Sequence, residues 1–402
     1  MKKNVLWLFS ILCFLLHINS YSTIYRKSKI KKLVESNNAF AINFYLSLNK
    51  KDENIIYSPF SISSALSMAY AGARGNTEKQ MREALQFFLP QDEIHSYFSK
   101  LNLIFNENNS GKDIILNLSN SLWAQKDHPF LIEYKTLIQK NYDLAIKNVD
   151  FINNPYIYKQ INTWIEEKSN SRIKEMISSS DIDQLTKLVI VNAIYFFGNW
   201  VKQFDEKLTT KKYFWVQPND SILVPMMEQT HYFLGGADSI AQFIELPYKG
   251  NMLSMFIILP NKGIELEKIE KNMTLEKLET WTTKLSSIKW HLSLPKYEFK
   301  TDIDLKNNLK KLGMSDAFNS RTANFSGMDG TRNLHISKAL HQAYIKVNEK
   351  GTEAAAATAL VLIYVIEAEP REFNINCPFL FIIKENSTGS ILFIGRVTNP
   401  TK

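Results

Sequence analysis

The chain has 402 residues, a formal net charge of +8 at pH 7 and two cysteines. This charge excess is small for the length, so composition does not favour a nucleic-acid-binding protein, and two cysteines exclude a disulfide-rich scaffold. Length alone favours two domains, but no Gly/Ser/Pro-rich linker, composition break or internal repeat divides the sequence.

The first residues form a predicted secretory signal peptide. Two lysines precede an apolar run at 5–16 and small residues follow it, which is the pattern of a cleaved leader. The run is too short to span a membrane. We therefore expect residues 1–22 to be removed and residues 23–402 to be a secreted, extracellular monomer without a membrane anchor. Cys13 leaves with the leader, so Cys377 is unpaired, and we expect it to be a quiet, partly buried thiol.

One basic cluster follows the leader and consists of Arg26, Lys27, Lys29, Lys31 and Lys32. Such a cluster can bind heparin-like polyanions or anionic lipid surfaces weakly. The alternative, which we favour, is a solvated face of the first helix.

Apolar spacing predicts the elements of the first half. Leu33, Phe40, Phe44 and Leu48 recur at helical spacing, and Ser58-Pro59 is expected to open a second helix. A strand is predicted at 120–124 and a helix at 158–176.

The second half is predicted to be richer in strands. Residues 188–197 form an almost unbroken apolar run, which is typical of a strand buried on both faces. Between 214 and 260, apolar runs alternate with turn signals at Gly235-Gly236 and Lys249-Gly250-Asn251, which predicts antiparallel strands. Further helices are predicted at 266–285 and 305–312, and further strands at 290–299 and 334–347. Helices followed by mixed strands and helices indicate the α+β class.

The stretch at 349–366 is unlike an ordinary element of a globular domain. With a period of two, small residues share one face, and these are Thr352, Ala354, Ala356 and Thr358. Glu353 would face outward, and Gly351 would give the backbone freedom that a hinge needs. The sequence therefore predicts a loop that can become a central strand.

Several segments resemble one protein family. Residues 349–358, Glu-Lys-Gly-Thr-Glu-Ala-Ala-Ala-Ala-Thr, are similar to the hinge of the reactive-centre loop of serpins, the serine protease inhibitor superfamily. Other segments resemble serpin segments in family order, and these are Asn54–Met68, Leu188–Trp200, Leu294–Phe299, Pro378–Phe381 and Gly395-Arg396. The resemblance covers nearly the whole chain after the leader. It implies a single α+β domain with three β-sheets, about nine helices and an exposed reactive-centre loop at about 349–372.

The resemblance also implies a position for the scissile bond. Serpins of this type are cut about fourteen residues after the hinge glycine, which leads from Gly351 to the bond between Val365 and Ile366. A valine suits elastase-like pockets. If the register slips by one residue, Tyr364 precedes the bond and chymotrypsin-like or cathepsin G-like proteases are favoured. No arginine or lysine lies between 352 and 366, which argues against trypsin-like targets.

Three groups of residues take roles from the resemblance. The hinge residues are Glu349, Gly351, Thr352, Glu353, Ala354, Ala355, Ala356, Ala357 and Thr358. The shutter residues, around which the central sheet opens, are Ser61, Ser64, Asn192 and His341. The breach residues, where the loop first enters the sheet, are Trp200, Lys296 and Glu349. As an exposed ion pair, Lys296 and Glu349 would contribute about 0 to 1 kcal/mol. Lys350 departs from the acidic residue common at its position.

The function that the resemblance implies is inhibition of serine endopeptidases by a suicide-substrate mechanism. The target serine forms an acyl-enzyme, and the cut loop then enters the central sheet as a new strand and distorts the tethered protease. The alternative is a non-inhibitory serpin that acts as a carrier or chaperone. An enzyme is disfavoured, because the Gly-x-Ser-x-Gly, His-Glu-x-x-His, P-loop and Cys-x-x-Cys motifs are absent, and we expect no cofactor.

Asn-x-Ser/Thr sequons mark possible sugar sites. The candidates are Asn108, Asn219, Asn272 and Asn324. Two further sequons, at Asn117 and Asn386, lie in or beside strand-like runs and are expected to be inaccessible.

Overall fold

The computed structural model describes residues 28–48, 52–107, 113–142, 146–352 and 369–402. Within these residues the chain forms ten α-helices and two β-sheets, which confirms the α+β class. The helices are α1 (28–47), α2 (Pro59–Gly72), α3 (Gly75–Ala84), α4 (Gln91–Glu107), α5 (Ile132–Tyr142), α6 (Ile157–Lys168), α7 (Leu266–Lys271), α8 (Leu275–Thr283), α9 (Leu305–Lys311) and α10 (Ser326–Asp329).

The strands follow the same numbering along the chain. They are β1 (Ile55–Tyr57), β2 (Ile114–Gln125), β3 (Lys147–Val149), β4 (Leu188–Asn199), β5 (Thr210–Gln217), β6 (Asp220–Ala237), β7 (Ala241–Pro247), β8 (Leu253–Pro260), β9 (Ser286–Pro295), β10 (Tyr297–Asp304), β11 (Lys338–Asn348), β12 (Gly351–Thr352), β13 (Arg371–Asn374), β14 (Phe379–Glu385) and β15 (Ile391–Val397).

Helix α2 belongs to the core, since all 14 of its residues are buried. Ser58 caps it by accepting a hydrogen bond from the backbone N–H of Ser61, and Pro59 takes the first helical position, as predicted. The helix contacts both sheets, through β4 of one and β15 of the other. It is therefore the element on which the two sheets meet.

The larger sheet has nine strands in the order β1-β15-β14-β8-β7-β6-β9-β13, with β5 paired to β6 outside this path. The 18-residue strand β6 pairs with β5 and β9, and its last residues pair with β7. It thereby joins two groups of strands into one sheet. For this reason the described residues form two sheets instead of the three that the resemblance implies.

The glycine pair Gly235-Gly236, predicted as a turn, lies inside β6. A Cβ atom on Gly235 would lie 2.6 Å from the side chain of Trp290, and one on Gly236 would lie 2.6 Å from that of Phe243. These glycines therefore allow close packing within the sheet. The other predicted turn, Lys249-Gly250-Asn251, is confirmed, and Gly250 has a φ of 82° there.

Other predicted elements are shorter or divided in the structure. The helix predicted at 158–176 ends at Lys168, because Asn170 and Ser171 adopt a positive φ that ends a right-handed helix. The helix predicted at 266–285 is divided into α7 and α8, and Thr274 caps the second of them. The strand predicted at 290–299 is divided into β9 and β10, which belong to different sheets and meet at Lys296.

The smaller sheet has six strands in the order β10-β11-β12-β4-β2-β3. Strand β4 is buried almost throughout, as its apolar sequence predicted. Residues of α6 such as Ile161 pack with Trp123 of β2 and Val191 of β4 in an apolar cluster separate from the main core. Helix α6 therefore covers one face of this sheet, and the main core lies on the other.

Candidate functional site

In the six-stranded sheet, β4 and β11 pair directly at one end and are separated by β12 at the other. Strands β4 and β11 pair directly, in parallel, over six residue pairs that end at Ile194 and Ala343. Four residues further along, Gly198 and Val347 each pair with Thr352 of β12 instead. Strand β12 thus lies between β4 and β11 and runs antiparallel to both. The start of the predicted hinge already occupies the position of a central strand.

Close packing where β12 meets β4 requires glycine at two positions, for different reasons. A Cβ atom on Gly351 would lie 2.0 Å from the carbonyl oxygen of Gly198. A Cβ atom on Gly198 would lie 2.7 Å from the ring of Tyr248. A side chain at Gly351 would therefore displace β12 from β4, and one at Gly198 would displace the Tyr248 ring, whose hydroxyl contacts Thr352.

Thr352 is anchored by an aromatic pair. Its buried hydroxyl lies 2.8 Å from the hydroxyl of Tyr248, whose ring stacks on Trp200 with the centroids 4.5 Å apart. The indole N–H of Trp200 donates to the carbonyl of Asn348 at 3.1 Å. The structure thus places Trp200 against the turn that precedes β12.

Glu349 lies at the base of the hinge, and its side chain is only 7% exposed. The carboxylate accepts hydrogen bonds from Lys296 at 2.9 Å and from the Thr209 hydroxyl at 2.8 Å. Burial raises the pKa of Glu349, but the hydrogen bonds from Lys296 and Thr209 outweigh it and hold that pKa below its ordinary value. The pair was expected to be exposed, and that expectation is wrong for Glu349. Loss of Lys296 would leave a buried charge unpaired, which is strongly unfavourable.

Lys350 is held mainly through its backbone. Its carbonyl accepts a hydrogen bond from the backbone N–H of Trp200 at 2.9 Å, and its ammonium lies 3.8 Å from Glu206. The lysine in place of the family's acidic residue therefore leaves the backbone bonds of the hinge intact.

His341 links β11, β4 and α2. Its Nε2 atom accepts a hydrogen bond from the backbone N–H of Ser58 at 3.1 Å, so the ring proton lies on Nδ1, which donates to Oδ1 of Asn192. Both side chains are fully buried. Burial lowers the pKa of His341 to about 3, and a proton on Nε2 would oppose the N–H of Ser58.

The remaining predicted shutter residues extend this network into α2. The amide of Asn192 donates to the Ser61 hydroxyl and to the side-chain oxygen of Asn120 on β2. Asn120 donates in turn to the Ser64 hydroxyl at 3.2 Å. The structure therefore brings all four predicted shutter residues together at the end of the sheet where β4 and β11 are paired.

Sequence reasoning missed four residues of these clusters, namely Ser58, Asn120, Thr209 and Tyr248. One signal was present, since Asn120 is a polar residue in a strand-like run. The contacts of the other three depend on distant parts of the chain.

Several predicted residues lie outside the described part of the chain. These are Arg26, Lys27, Asn108, Glu353 to Thr358, Tyr364, Val365 and Ile366, together with the predicted signal peptide at 1–22.

Of the predicted basic cluster, the structure describes Lys29, Lys31 and Lys32. Lys29 contacts Glu93 at 2.8 Å, whereas Lys31, which lies 3.8 Å from Glu35, and Lys32 are both exposed. One lysine of the cluster is therefore closely paired, and two remain on the solvated face of α1.

The described sequons differ in exposure. Asn219 and Asn272 are exposed, whereas Asn324 is half-buried and its backbone N–H donates to the Thr77 hydroxyl. Asn386 is exposed in the turn after β14, although it was expected to be inaccessible.

Cys377 is half-buried, and burial raises the pKa of its thiol to about 11. A thiol with this pKa is protonated at neutral pH and unreactive. In the described ranges we find neither a cluster of three metal-ligating side chains nor a helix long and apolar enough to cross a membrane.

Comparison with known proteins agrees with this geometry. A family model described as "Serpin (serine protease inhibitor)" matches residues 35–400. The chain therefore belongs to the serpin family, and it is not an enzyme.

Individual relatives span the whole domain. The chain is 40% identical over 382 residues to the human leukocyte elastase inhibitor, in a match that covers 92% of this chain and 100% of that protein. Among solved structures, maspin has a TM-score of 0.85 and 31% identity, with 93% of this chain and 100% of maspin covered. Human thyroxine-binding globulin, complexed with thyroxine, has a TM-score of 0.83 and 30% identity, with 93% and 100% covered.

We predict that the protein loses stability as the pH falls below about 6.5 and that His341 causes part of this loss. Between the unfolded pKa of about 6.5 and the folded pKa of about 3, only the unfolded chain binds the proton. Each pH unit in this window lowers the free energy of unfolding by up to about 1.4 kcal/mol. Urea unfolding at pH 7 and pH 5 measures the effect, which should be smaller in His341→Gln.

A second buried histidine, His95, tests the same argument at another site, because burial lowers its pKa to about 4. His95→Gln should reduce the pH dependence to a similar extent. An equal fall between pH 7 and pH 5 in the wild type and in His341→Gln would contradict the assignment.

Proposed function

We propose that this protein inhibits chymotrypsin-fold serine proteases by inserting its cleaved reactive-centre loop into the six-stranded sheet. The observation that carries the proposal is β12, whose two residues already pair with both β4 and β11. The residues that follow in the sequence are small, so nothing in the hinge blocks further insertion.

The register of β12 defines the neighbours of every residue that would follow it into the sheet. Thr352 lies between Val347 and Gly198, so Ala354 would lie between Ile345 and Phe196. Both neighbours are buried, and an alanine fits between them where a larger side chain would be overpacked. The alternation of small residues thus matches the space that the two strands leave.

The same register brings Thr358 to the shutter. It would lie opposite both His341 and Asn192, which now hydrogen-bond directly to each other. A threonine hydroxyl donates one hydrogen bond and accepts others, so it can satisfy both side chains once the strands part. Opening of the sheet would then leave no buried polar group without a partner in this pair.

Insertion provides the free energy for trapping. A strand of about twelve residues that gains ladder bonds on both sides, at about 1 kcal/mol net each, releases on the order of 10 kcal/mol. Loss of one oxyanion-hole donor slows a serine protease by about 10² to 10³-fold, so distortion of the tethered enzyme stops deacylation. The acyl-enzyme would then persist as a covalent complex.

The target class follows from the residue before the scissile bond. Val365 suits an elastase-like pocket, and Tyr364 would suit a chymotrypsin-like or cathepsin G-like pocket. The similarity to the leukocyte elastase inhibitor of humans supports the first of these. We infer that the partner is such a protease, bound covalently, and that the protein acts as a monomer.

A carrier function is the second candidate, because thyroxine-binding globulin has the same fold. The buried Thr352 and the alanines after it favour insertion and hence inhibition. Polyanion binding is less favoured, because Lys29 of the basic cluster already contacts Glu93.

The inhibitor should form an SDS-stable complex with at least one protease of a panel containing elastase, chymotrypsin, cathepsin G and trypsin. Denaturing gels detect the complex, and mass analysis of the released carboxyl-terminal peptide identifies the cleaved bond. Cleavage between Val365 and Ile366 by elastase is the expected result, with no complex for trypsin. Cleavage by every protease without any complex would overturn the inhibitory function and favour the carrier.

Thr352→Arg should convert the protein from an inhibitor into a substrate. Thr352 is fully buried between Gly198 and Val347, so a charged side chain there would oppose insertion and let the protease complete hydrolysis. The ratio of covalent complex to cleaved inhibitor on gels is the measurement.

The matched control is Glu353→Arg, which places the same side chain at a position expected to face away from the core. That variant should keep nearly the wild-type ratio. A wild-type ratio in Thr352→Arg as well would contradict insertion through this slot.

We propose further that residues 1–22 direct secretion and that sugars are added at the exposed Asn219 and Asn272. Protein collected from the medium of eukaryotic cells should begin close to residue 23 and carry sugar at these two sites, as measured by peptide mass mapping. Retention of an intact amino terminus inside the cells would contradict secretion.

A further inference from the structure

The outer face of the β5–β6 hairpin carries exposed apolar side chains. Tyr213 is 59% exposed, Trp215 is 43% exposed and Leu223 is 54% exposed. Tyr213 lies directly opposite Leu223, and its ring centroid is 6.5 Å from that of Trp215. Pro225, which is also exposed, continues the same side of β6. We call these four residues the hairpin face.

The hairpin does not need this face in order to fold. Its other side already buries Phe214, Val224 and Met226 completely, which anchors both strands on the core. Among the described residues, β5 pairs with β6 alone and therefore lies at an edge of the sheet. Exposed aromatic residues on an edge strand favour aggregation and are usually avoided unless they bind a partner. The hairpin face therefore indicates an interaction surface.

The hairpin is attached to the chain on both sides of the reactive-centre loop. Before the loop, the carbonyl of Pro225 accepts a hydrogen bond from the backbone N–H of Lys296 at 2.9 Å, and Lys296 holds Glu349. After the loop, the backbone N–H of Trp215 donates to the carbonyl of Asn376 at 2.8 Å. The chain segments on both sides of 353–368 are therefore connected to this hairpin, and a protease that cleaves there would bind near it.

We propose that the hairpin face is a second contact surface for the body of the target protease, separate from the loop. This inference rests on the proposed inhibitory function. Tyrosine and tryptophan are the residues that most often dominate binding at protein interfaces, because they bury a large area and have few rotatable bonds. Contacts at the hairpin face form in the encounter complex, before the loop is cut. They raise the rate of association and leave the later partition between trapping and hydrolysis unchanged.

The test is the double variant Tyr213→Ala/Leu223→Ala, in which both altered side chains are exposed and the buried side of the hairpin is intact. The matched control is Tyr156→Ala/Leu103→Ala, at a tyrosine that is 62% exposed and a leucine that is 60% exposed, at the start of α6 and on α4. Each protein is mixed with elastase and with chymotrypsin, and the second-order rate constant of covalent complex formation is measured.

The hairpin variant should associate about tenfold more slowly, with an unchanged stoichiometry of inhibition, while the control keeps the wild-type rate. Equal rates for all three proteins would overturn the proposal. A second readout separates it from the proposed function: the affinity for the same proteases with the catalytic serine replaced by alanine. Weaker binding of the hairpin variant supports the surface even if no covalent complex forms.

The same variant also tests whether the hairpin face binds a second copy of this chain instead of the protease. If the wild-type protein sediments as a dimer and the hairpin variant as a monomer, the face binds a second copy of this chain. That result would overturn the assignment to the protease.

Discussion

The structure depends on the close approach of three strands at one end of the six-stranded sheet. Gly351 and Thr352 lie between β4 and β11, and this approach is possible because Gly351 has no side chain. Beyond these residues β4 and β11 close on each other in parallel. Because both arrangements keep one register, the strands can part step by step without sliding. A new central strand could therefore enter without changing which residues of β4 and β11 lie level with each other.

The two clusters along this boundary have different chemical roles. Around the hinge, Trp200 and Tyr248 hold Thr352 by stacking and by a hydroxyl contact, and Lys296 neutralises the buried Glu349. Further along, the network of His341 and Asn192 joins β4, β11 and α2. In the proposed mechanism, the first cluster would determine where insertion begins, and the second would have to exchange hydrogen-bond partners for insertion to continue. Both consist of polar groups that are satisfied in the closed sheet, so neither opposes folding of the uncut protein.

The sequence predicted the parts of this site that depend on local pattern. The small residues on one face of the hinge follow from a period of two, and Ser58-Pro59 predicted the start of α2. Contacts between distant segments were not predictable in this way. Asn120 meets Asn192 because β2 pairs with β4 in one register, and the buried Glu349 is contacted by Thr209 and Lys296 from distant parts of the chain. The role of Gly235-Gly236 was likewise not predictable from local sequence, because glycine is needed there to make room for Trp290 and Phe243 on neighbouring strands.

The central claim is that the uncut protein is held in a less stable arrangement of this sheet than the one available after cleavage. Thermal unfolding of the intact protein and of protein cut once within 353–368 tests this claim most directly. A gain of about 10 kcal/mol on insertion should raise the midpoint of the cut protein by roughly 20 °C, although one covalent bond has been lost. A midpoint equal to or lower than that of the intact protein would contradict the account, because no free energy would then be available to trap a protease.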